Sequence, residues 1–197
     1  MHKFFSSKYQ RQVIVIEAGE YYTSNQRDII STIVGSCICT CLYDPVNLVG
    51  GINHFMLPAV LKPDEILTTE LGRYGLYAMD LLIGGIMKLG GERQLLKAKI
   101  FGGGELLDYQ ISHNSIPQFN IEFINHFLKM EQIPIINQDV GGIFGRKLYF
   151  FSDIGKVYVR KLVPQQYTKF KDTEERYTAR LFRMKRDAEN HCSGHRR

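Results

Sequence analysis

Cys37 and His54 are the two side chains whose types and setting suggest catalysis. A cysteine is an effective nucleophile only as a thiolate, so its ordinary pKa of about 8.5 must be lowered by a nearby imidazolium or by oriented backbone N–H groups. Gly35 and Ser36 precede Cys37 and allow a tight turn, which would aim adjacent amides at the oxyanion of a tetrahedral intermediate. The pattern therefore indicates thiol-based acyl chemistry, with His54 as the base.

A catalytic base of this kind is usually oriented by a third polar group. Ser31, Thr32 and Asn53 carry the hydroxyl and amide groups that lie near enough along the chain to serve. Their positions alone leave the choice among the three open.

The choice of nucleophile is also open from spacing alone, because Cys39 and Cys41 follow Cys37 on alternate residues. On a strand, all three side chains would point to the same face. Buried reduced cysteines are common core residues, and single histidines are often structural. Only the Gly-Ser turn favours Cys37.

Neither a disulfide nor a metal site is expected in this region. Alternate cysteines are too close to pair with one another, so reduced thiols are the natural interpretation. The C-x-C-x-C spacing also differs from that of structural zinc sites. Gly102, Gly103 and Gly104 lack the frame of a phosphate-binding loop and instead predict a loop that passes close to the active-site elements.

The elements around Cys37 and His54 are predicted to be strands. Residues 12–17 are β-branched and bounded by polar residues, as in a short strand. Residues 29–43 are apolar but broken by Gly35-Ser36, which predicts a bend that feeds a buried strand. Residues 48–57 return after an Asp-Pro turn, so a hairpin-like pair would bring Cys37 and His54 together.

The rest of the chain alternates helices and strands. Apolar residues at spacings of three and four predict a helix over 70–89, and Asn120 is placed to cap a second helix over 121–130. Further predictions are strands at 98–101, 147–151 and 156–162, the last two forming a hairpin, and a charged helix over 173–189. This order predicts a mixed α/β or α+β domain, with layered mixed sheets and two core helices packed outside.

Composition excludes several classes of function. The net charge of +5 is concentrated in the C-terminal stretch, where interleaved acids indicate a solvated helix face, and no nucleic-acid motif accompanies it. No run of about eighteen apolar residues occurs and the first twelve residues are polar, so neither membrane insertion nor secretion is expected. We expect a cytoplasmic protein that is a monomer.

Two segments carry a specific resemblance to a known family. The run from Val34 to Pro45 (VGSCICTCLYDP) and that from Gly50 to Pro58 (GGINHFMLP) closely resemble the signature of the CheD family, the chemoreceptor glutamine deamidases. The resemblance extends to Lys99–Gly104, to Asp139–Gly142 and to Gly145–Lys147. It divides the chain into an N-terminal extension (1–11), a CheD-like deamidase domain (12–163) and a basic, partly helical tail (164–197).

The resemblance implies roles for individual residues. It makes Cys37 the nucleophile and His54 the base, and it puts the third member six residues before the cysteine, at Ser31, with Thr32 immediately after it. It also implies hydrolysis of glutamine side chains to glutamate on the cytoplasmic domains of methyl-accepting chemotaxis receptors. No metal or organic cofactor is required, and a CheC-type phosphatase is a further expected partner.

One segment departs from the family pattern. Ile116-Pro117-Gln118-Phe119-Asn120 stands where relatives have Ile-Gly-x-Arg-Asn. Proline removes a backbone donor and the missing arginine removes an ion pair, so we expect an altered surface or loop. The departure leaves open a second function, that of an adaptor that binds receptors or a CheC-type phosphatase and catalyses little or no hydrolysis. A thiol protease or a transglutaminase-like acyltransferase would use the same Cys-His chemistry.

Overall fold

A computed structural model of the chain describes residues 1–57, 70–106 and 116–163, together with 176, 177, 179–181 and 183. Its strands form two five-stranded sheets, ordered β1-β2-β4-β9-β10 and β3-β6-β5-β7-β8. The strands are β1 (His2–Ser6), β2 (Arg11–Val15), β3 (Tyr21–Ser24), β4 (Ile29–Val34), β5 (Ile38–Asp44), β6 (Val49–Phe55), β7 (Lys97–Gly102), β8 (Ile135–Val140), β9 (Gly145–Phe151) and β10 (Lys156–Leu162). Within residues 1–57, 70–106 and 116–163, the helical elements are α1 (Glu70–Lys88), a 3-10 turn (Arg93–Leu95) and α2 (Ile116–Met130).

Both sheets are mixed, as the order of elements predicts. In the first sheet β2 and β4 are parallel, whereas the remaining neighbours are antiparallel. In the second sheet β7 and β8 are parallel, and β5 lies between β6 and β7 in antiparallel pairings. The strands β4, β5 and β6 therefore each have a hydrogen-bonded neighbour on both sides.

Alternation along the strands of the second sheet creates two separate cores. One face, which includes Leu42 and Phe55, packs on Leu82 of α1 and Phe123 of α2. The other face, which includes Cys41 and Ile52, packs on the first sheet. The result is three layers, a sheet on a sheet with helices outside, and each fully buried large apolar side chain adds about 1.5–3 kcal/mol.

The structure confirms most of the predicted elements. The bend at Gly35-Ser36 separates β4 from β5, β5 and β6 form the predicted hairpin-like pair, and α1 begins at Glu70. The strands at the C-terminal side, β9 and β10, are the predicted antiparallel hairpin. Of the helix predicted over 173–189, the six residues that the structure describes are helical; the others lie outside the described residues. No described helix is both long and apolar enough to cross a membrane.

The start of α2 corrects the prediction. The helix begins at Ile116, five residues earlier than expected, and Pro117 occupies its first turn, where a missing N–H is tolerated. Asn120 is therefore inside the helix and is not its cap. Its side chain accepts a hydrogen bond from the Leu57 N–H (2.6 Å) and donates to the carbonyls of Leu57 (3.2 Å) and Ile116 (2.8 Å). The altered segment forms a buried helix start, not a surface loop.

Candidate active site

Cys37 and His54 lie on adjacent parts of the second sheet. Cys37 occupies the turn between β4 and β5, and His54 is near the end of β6. In the antiparallel pairing of β5 with β6, Cys39 is opposite His54, and Cys37 comes two residues before Cys39. Both candidate catalytic residues are buried, with exposed fractions of 0% for Cys37 and 2% for His54. The sequence prediction that the hairpin would bring these elements together is confirmed.

Thr32 meets His54 across the space between the two sheets. Thr32 shares its face of β4 with Ile30 and Val34, which belong to the inter-sheet core, and His54 shares its face of β6 with Ile52 and Met56. The Thr32 Oγ1 and His54 Nδ1 atoms are 3.0 Å apart and form a buried hydrogen bond. The threonine hydroxyl therefore fixes the orientation of the imidazole.

Ser31, which the family resemblance makes the third member, lies on the opposite face of β4 from Thr32, so its side chain does not point towards His54. Its hydroxyl donates a hydrogen bond to the Leu148 carbonyl on β9, at 2.8 Å. Its odd-numbered neighbour Ile29 packs in a separate small core on the outer side of the first sheet. A one-residue step along a strand reverses the face, so Ser31 and Thr32 cannot both reach His54.

Asn53 also points away from the imidazole, for the same reason of alternation. Its side-chain oxygen accepts a hydrogen bond from the Thr40 N–H (3.2 Å), and its Nδ2 donates to the Ala78 carbonyl (3.0 Å) in α1. Asn53 thus ties β6 to β5 and to the helix layer, and its side chain makes these contacts on the face of β6 opposite to the imidazole.

The backbone of His54 is held as firmly as its ring. The His54 N–H donates to the Glu20 carbonyl (3.0 Å), and the His54 carbonyl accepts from the Gly19 N–H (2.7 Å). Beyond it, Asn120 binds the backbone of Leu57 at the end of the same segment. The segment that carries His54 is therefore fixed from the loop before β3 and from α2.

The loop after β7 supports the Cys37 turn, as the glycines predict. The Gly103 N–H donates to the Cys37 carbonyl and the Gly104 N–H to the Gly35 carbonyl, both at 2.7 Å. Gly102 has a φ of +110°, and a Cβ there would overlap the Cys37 carbonyl oxygen. The carbonyl groups of Gly35 and Cys37, on either side of Ser36, are thus both hydrogen-bonded, which defines the conformation of the turn.

Cys39 and Cys41 face the same inter-sheet core as Cys37, which confirms the period-two argument. Both lie within β5, whereas Cys37 lies in the turn before it. Burial raises the pKa of the Cys41 thiol far above its ordinary value, and the nearby Lys99 ammonium offsets only part of this effect. Cys41 is therefore a neutral core residue, and the turn remains the feature that distinguishes Cys37.

Two tyrosines that lie near Cys37 were not predicted from the sequence to be part of the site. The hydroxyls of Tyr74 on α1 and Tyr177 in the C-terminal segment are 2.5 Å apart, and both rings pack against the core that contains Cys37. Burial raises the pKa of both hydroxyls, and the neighbouring Cys37 adds to that rise, so both remain neutral. In the sequence, Tyr74 is one more apolar position of a helix, and Tyr177 stands in a charged stretch.

Comparison with known proteins assigns the chain to a family. Residues 56–161 match the family model described as CheD chemotactic sensory transduction, which is more than half of the chain. The chain belongs to the CheD family. That range begins just after His54, so the relatives are needed to cover the candidate site.

Curated CheD relatives align over most of the chain. "Probable chemoreceptor glutamine deamidase CheD 1" of Shewanella oneidensis is 40% identical over 180 residues, which are 91% of this chain and 87% of that protein. "Probable chemoreceptor glutamine deamidase CheD" of Laribacter hongkongensis is 39% identical over 184 residues, 93% of this chain and 89% of its own length. These ranges leave out too few residues to exclude Cys37 or His54.

The support of the Cys37 turn can be tested with a matched pair of glycine substitutions. Gly142 also has a positive φ (+70°), but a Cβ there would have no atom of the described residues within 4 Å. Gly142→Ala should lower the free energy of unfolding by about 1–2 kcal/mol through backbone strain alone. Gly102→Ala should cost about 1–3 kcal/mol more, because the methyl group overlaps Cys37. Urea denaturation measures both, and equal losses would contradict the close approach.

Proposed function

We propose that this protein hydrolyses the side-chain amides of specific glutamines on methyl-accepting chemotaxis receptors, giving glutamate. The observation that carries the proposal is the Thr32–His54 hydrogen bond beside the Cys37 turn. When Nδ1–H donates to Thr32, the other ring nitrogen, Nε2, is left as the basic atom that acts on the thiol. The names of the curated CheD relatives, which are chemoreceptor glutamine deamidases, support the same reaction.

The first half of the proposed reaction forms a thioester. His54 Nε2 takes the thiol proton, and the Cys37 thiolate attacks the carboxamide carbon of the substrate glutamine. The tetrahedral intermediate collapses as the carbon–nitrogen bond breaks. The imidazolium gives its proton to the departing nitrogen, and ammonia leaves.

The second half restores the enzyme. Neutral His54 removes a proton from a water molecule, which attacks the thioester carbon. The carbon–sulfur bond breaks and Cys37 leaves as thiolate, which takes back the proton that the His54 imidazolium holds. The carboxylic acid that forms on the substrate loses its proton to solvent, so the substrate carries a glutamate carboxylate in place of the amide. The net result is one new negative charge on the receptor. The residues in these steps need no metal or organic cofactor.

The oxyanion of both intermediates is assigned to backbone N–H groups of the turn formed by Gly35, Ser36 and Cys37. The support is indirect: Gly103 and Gly104 hold the Cys37 and Gly35 carbonyls, which sets the directions of the peptide planes between them. Donors fixed in advance need no reorganisation when charge develops, which is the source of their catalytic effect.

The proposed partner is the cytoplasmic part of a chemoreceptor, so we place the reaction in the cytoplasm. We keep the division into an N-terminal extension (1–11), a catalytic domain (12–163) and a tail (164–197) as part of the proposal, although β1 joins the first sheet. Binding to a CheC-type phosphatase and a monomeric state belong to the proposal as well.

The nucleophile can be tested with two cysteine substitutions in the same core. Cys37→Ala should abolish the mass shift of receptor glutamines to glutamates, because no other thiol occupies the turn. Cys41→Ala should retain the reaction, since Cys41 is a neutral core residue. Mass spectrometry of receptor peptides measures both. Full activity of Cys37→Ala would refute the mechanism, and a pure adaptor would give no shift with the unmodified protein either.

The role of Thr32 can be separated from that of its neighbour. Thr32→Val keeps the shape but removes the hydroxyl, and it should lower kcat about 10- to 100-fold, a part of the 10²–10⁴ that acid–base catalysis contributes. Thr32→Ser should restore most of kcat. Ser31→Ala should cost about 1 kcal/mol of stability and leave kcat unchanged, since its hydrogen bond is to Leu148. A larger loss of kcat in Ser31→Ala than in Thr32→Val would instead make Ser31 the third member.

A further inference from the structure

The candidate site is closed in this structure. Cys37 is 0% exposed and His54 is 2% exposed, so a glutamine side chain on another protein cannot reach the sulfur as the chain stands. Access to Cys37 therefore requires that some covering group move. The described residues that pack on this side of the inter-sheet core include Tyr74 of α1 and two residues of the C-terminal segment, Tyr177 and Leu181.

Tyr177 makes specific contacts around the thiol. Its hydroxyl is 2.5 Å from that of Tyr74, and it also accepts a hydrogen bond from the Met56 backbone N–H, two residues after His54. Its ring lies against Gly19 so closely that a Cβ at that position would overlap it. Gly19 in turn donates to the His54 carbonyl. Tyr177 thus contacts two segments next to His54: the loop that contains Gly19 and the residues that follow β6.

Leu181 adds an apolar anchor one helical turn later. Its exposed fraction is 4%, and it belongs to the core that contains Cys37 and Met56. It is four residues after Tyr177, so the two side chains lie on one face of a helix. The other described residues of the segment are exposed: Arg176, Ala179, Arg180 and Arg183.

Among its described residues this segment is amphipathic: Tyr177 and Leu181 pack against the inter-sheet core, and the four others are exposed. Three of the four exposed described residues are arginines, Arg176, Arg180 and Arg183. A surface helix with one face in solvent opens more readily than the core of a sheet. The surface on which Tyr177 and Leu181 pack therefore accepts the apolar face of a helix, and a helix at the surface is an element that can leave.

We propose that Tyr177 and Leu181 determine access to Cys37: their helical segment covers the thiol in the resting protein, and an amphipathic helix that bears the substrate glutamine displaces it. The inference rests on the proposed function for the identity of the incoming group. The cover itself can be tested without any deamidation. Binding of the substrate helix and docking of the segment are then mutually exclusive.

The test measures how fast iodoacetamide alkylates each cysteine in the folded, full-length protein, with the modified residue located by peptide mass spectrometry. The double variant Tyr177→Ala/Leu181→Ala should alkylate at Cys37 at least about tenfold faster than the unmodified protein, because the docked population falls. Cys39 and Cys41, which lie within β5, should keep their slow rates. Arg183→Ala, an exposed position of the same segment, is the control and should leave all rates unchanged.

A milder variant guards against loss of the fold. Tyr177→Phe removes only the hydroxyl and its contacts with Tyr74 and Met56, and it should accelerate alkylation of Cys37 severalfold. An unchanged Cys37 rate in both variants overturns the proposal. So does equal acceleration of all three cysteines in the double variant with none in Tyr177→Phe, since that result indicates a loosened core.

Receptor deamidation separates this inference from the proposed function. Tyr177→Phe should lower KM for the receptor and leave kcat unchanged, whereas a drop in kcat would make Tyr177 part of the catalytic arrangement and overturn the cover. If neither the unmodified protein nor any variant deamidates receptor, but alkylation of Cys37 accelerates as expected, the proposed cover is supported and the proposed function fails. If the unmodified protein deamidates receptor but alkylation does not respond, the cover fails alone.

Discussion

The hydrogen bond between Thr32 and His54 joins the two sheets of the protein at the point where the proposed chemistry takes place. It exists only because β4 presents Thr32, and β6 presents His54, to the same inter-sheet core. A shift of one residue in either strand would turn the side chain to the opposite face. The pairing of β4 with β9, and of β6 with β3 and β5, therefore sets the orientation of the imidazole.

The other layers keep this arrangement in register. Asn53 and Asn120, both buried, tie the β6 segment to α1 and α2, so the segment that carries the base is held from the helix side. The glycine loop after β7 holds the carbonyls of the Cys37 turn. Buried amide side chains whose polar groups are all paired favour one arrangement of the core over its alternatives. Cys37, the proposed nucleophile, and His54, the proposed base, are thus positioned by separate sets of contacts.

The sequence was informative where a local pattern decides the structure. The Gly-Ser turn before Cys37, the apolar return to His54 and the helical period of α1 are local signals, and the structure confirms all three. The third member was not decided in this way, because Ser31 and Thr32 are adjacent hydroxyl residues and only the pairing of β4 shows which one faces His54.

The short strands β1, β3 and β8 were not predicted, since their exposed or half-buried residues lack a clear alternation. The start of α2 was missed because Asn120 was taken as its cap and residues 116–120 as an altered surface or loop, whereas proline is tolerated in a first helical turn. Tyr177 was missed because its contacts are with residues more than a hundred positions away along the chain.

The central claim is that Cys37, activated by His54, forms a thioester with the substrate glutamine. The most direct measurement is to mix the protein with chemoreceptor, quench in acid within the first turnover, digest, and search by mass spectrometry for cysteine peptides joined to receptor peptides. The account predicts a linked species at Cys37 that forms and decays as glutamate appears. Glutamate formation with a linked species at Cys39 or Cys41, or with no linked species at any cysteine under conditions that preserve thioesters, would contradict it.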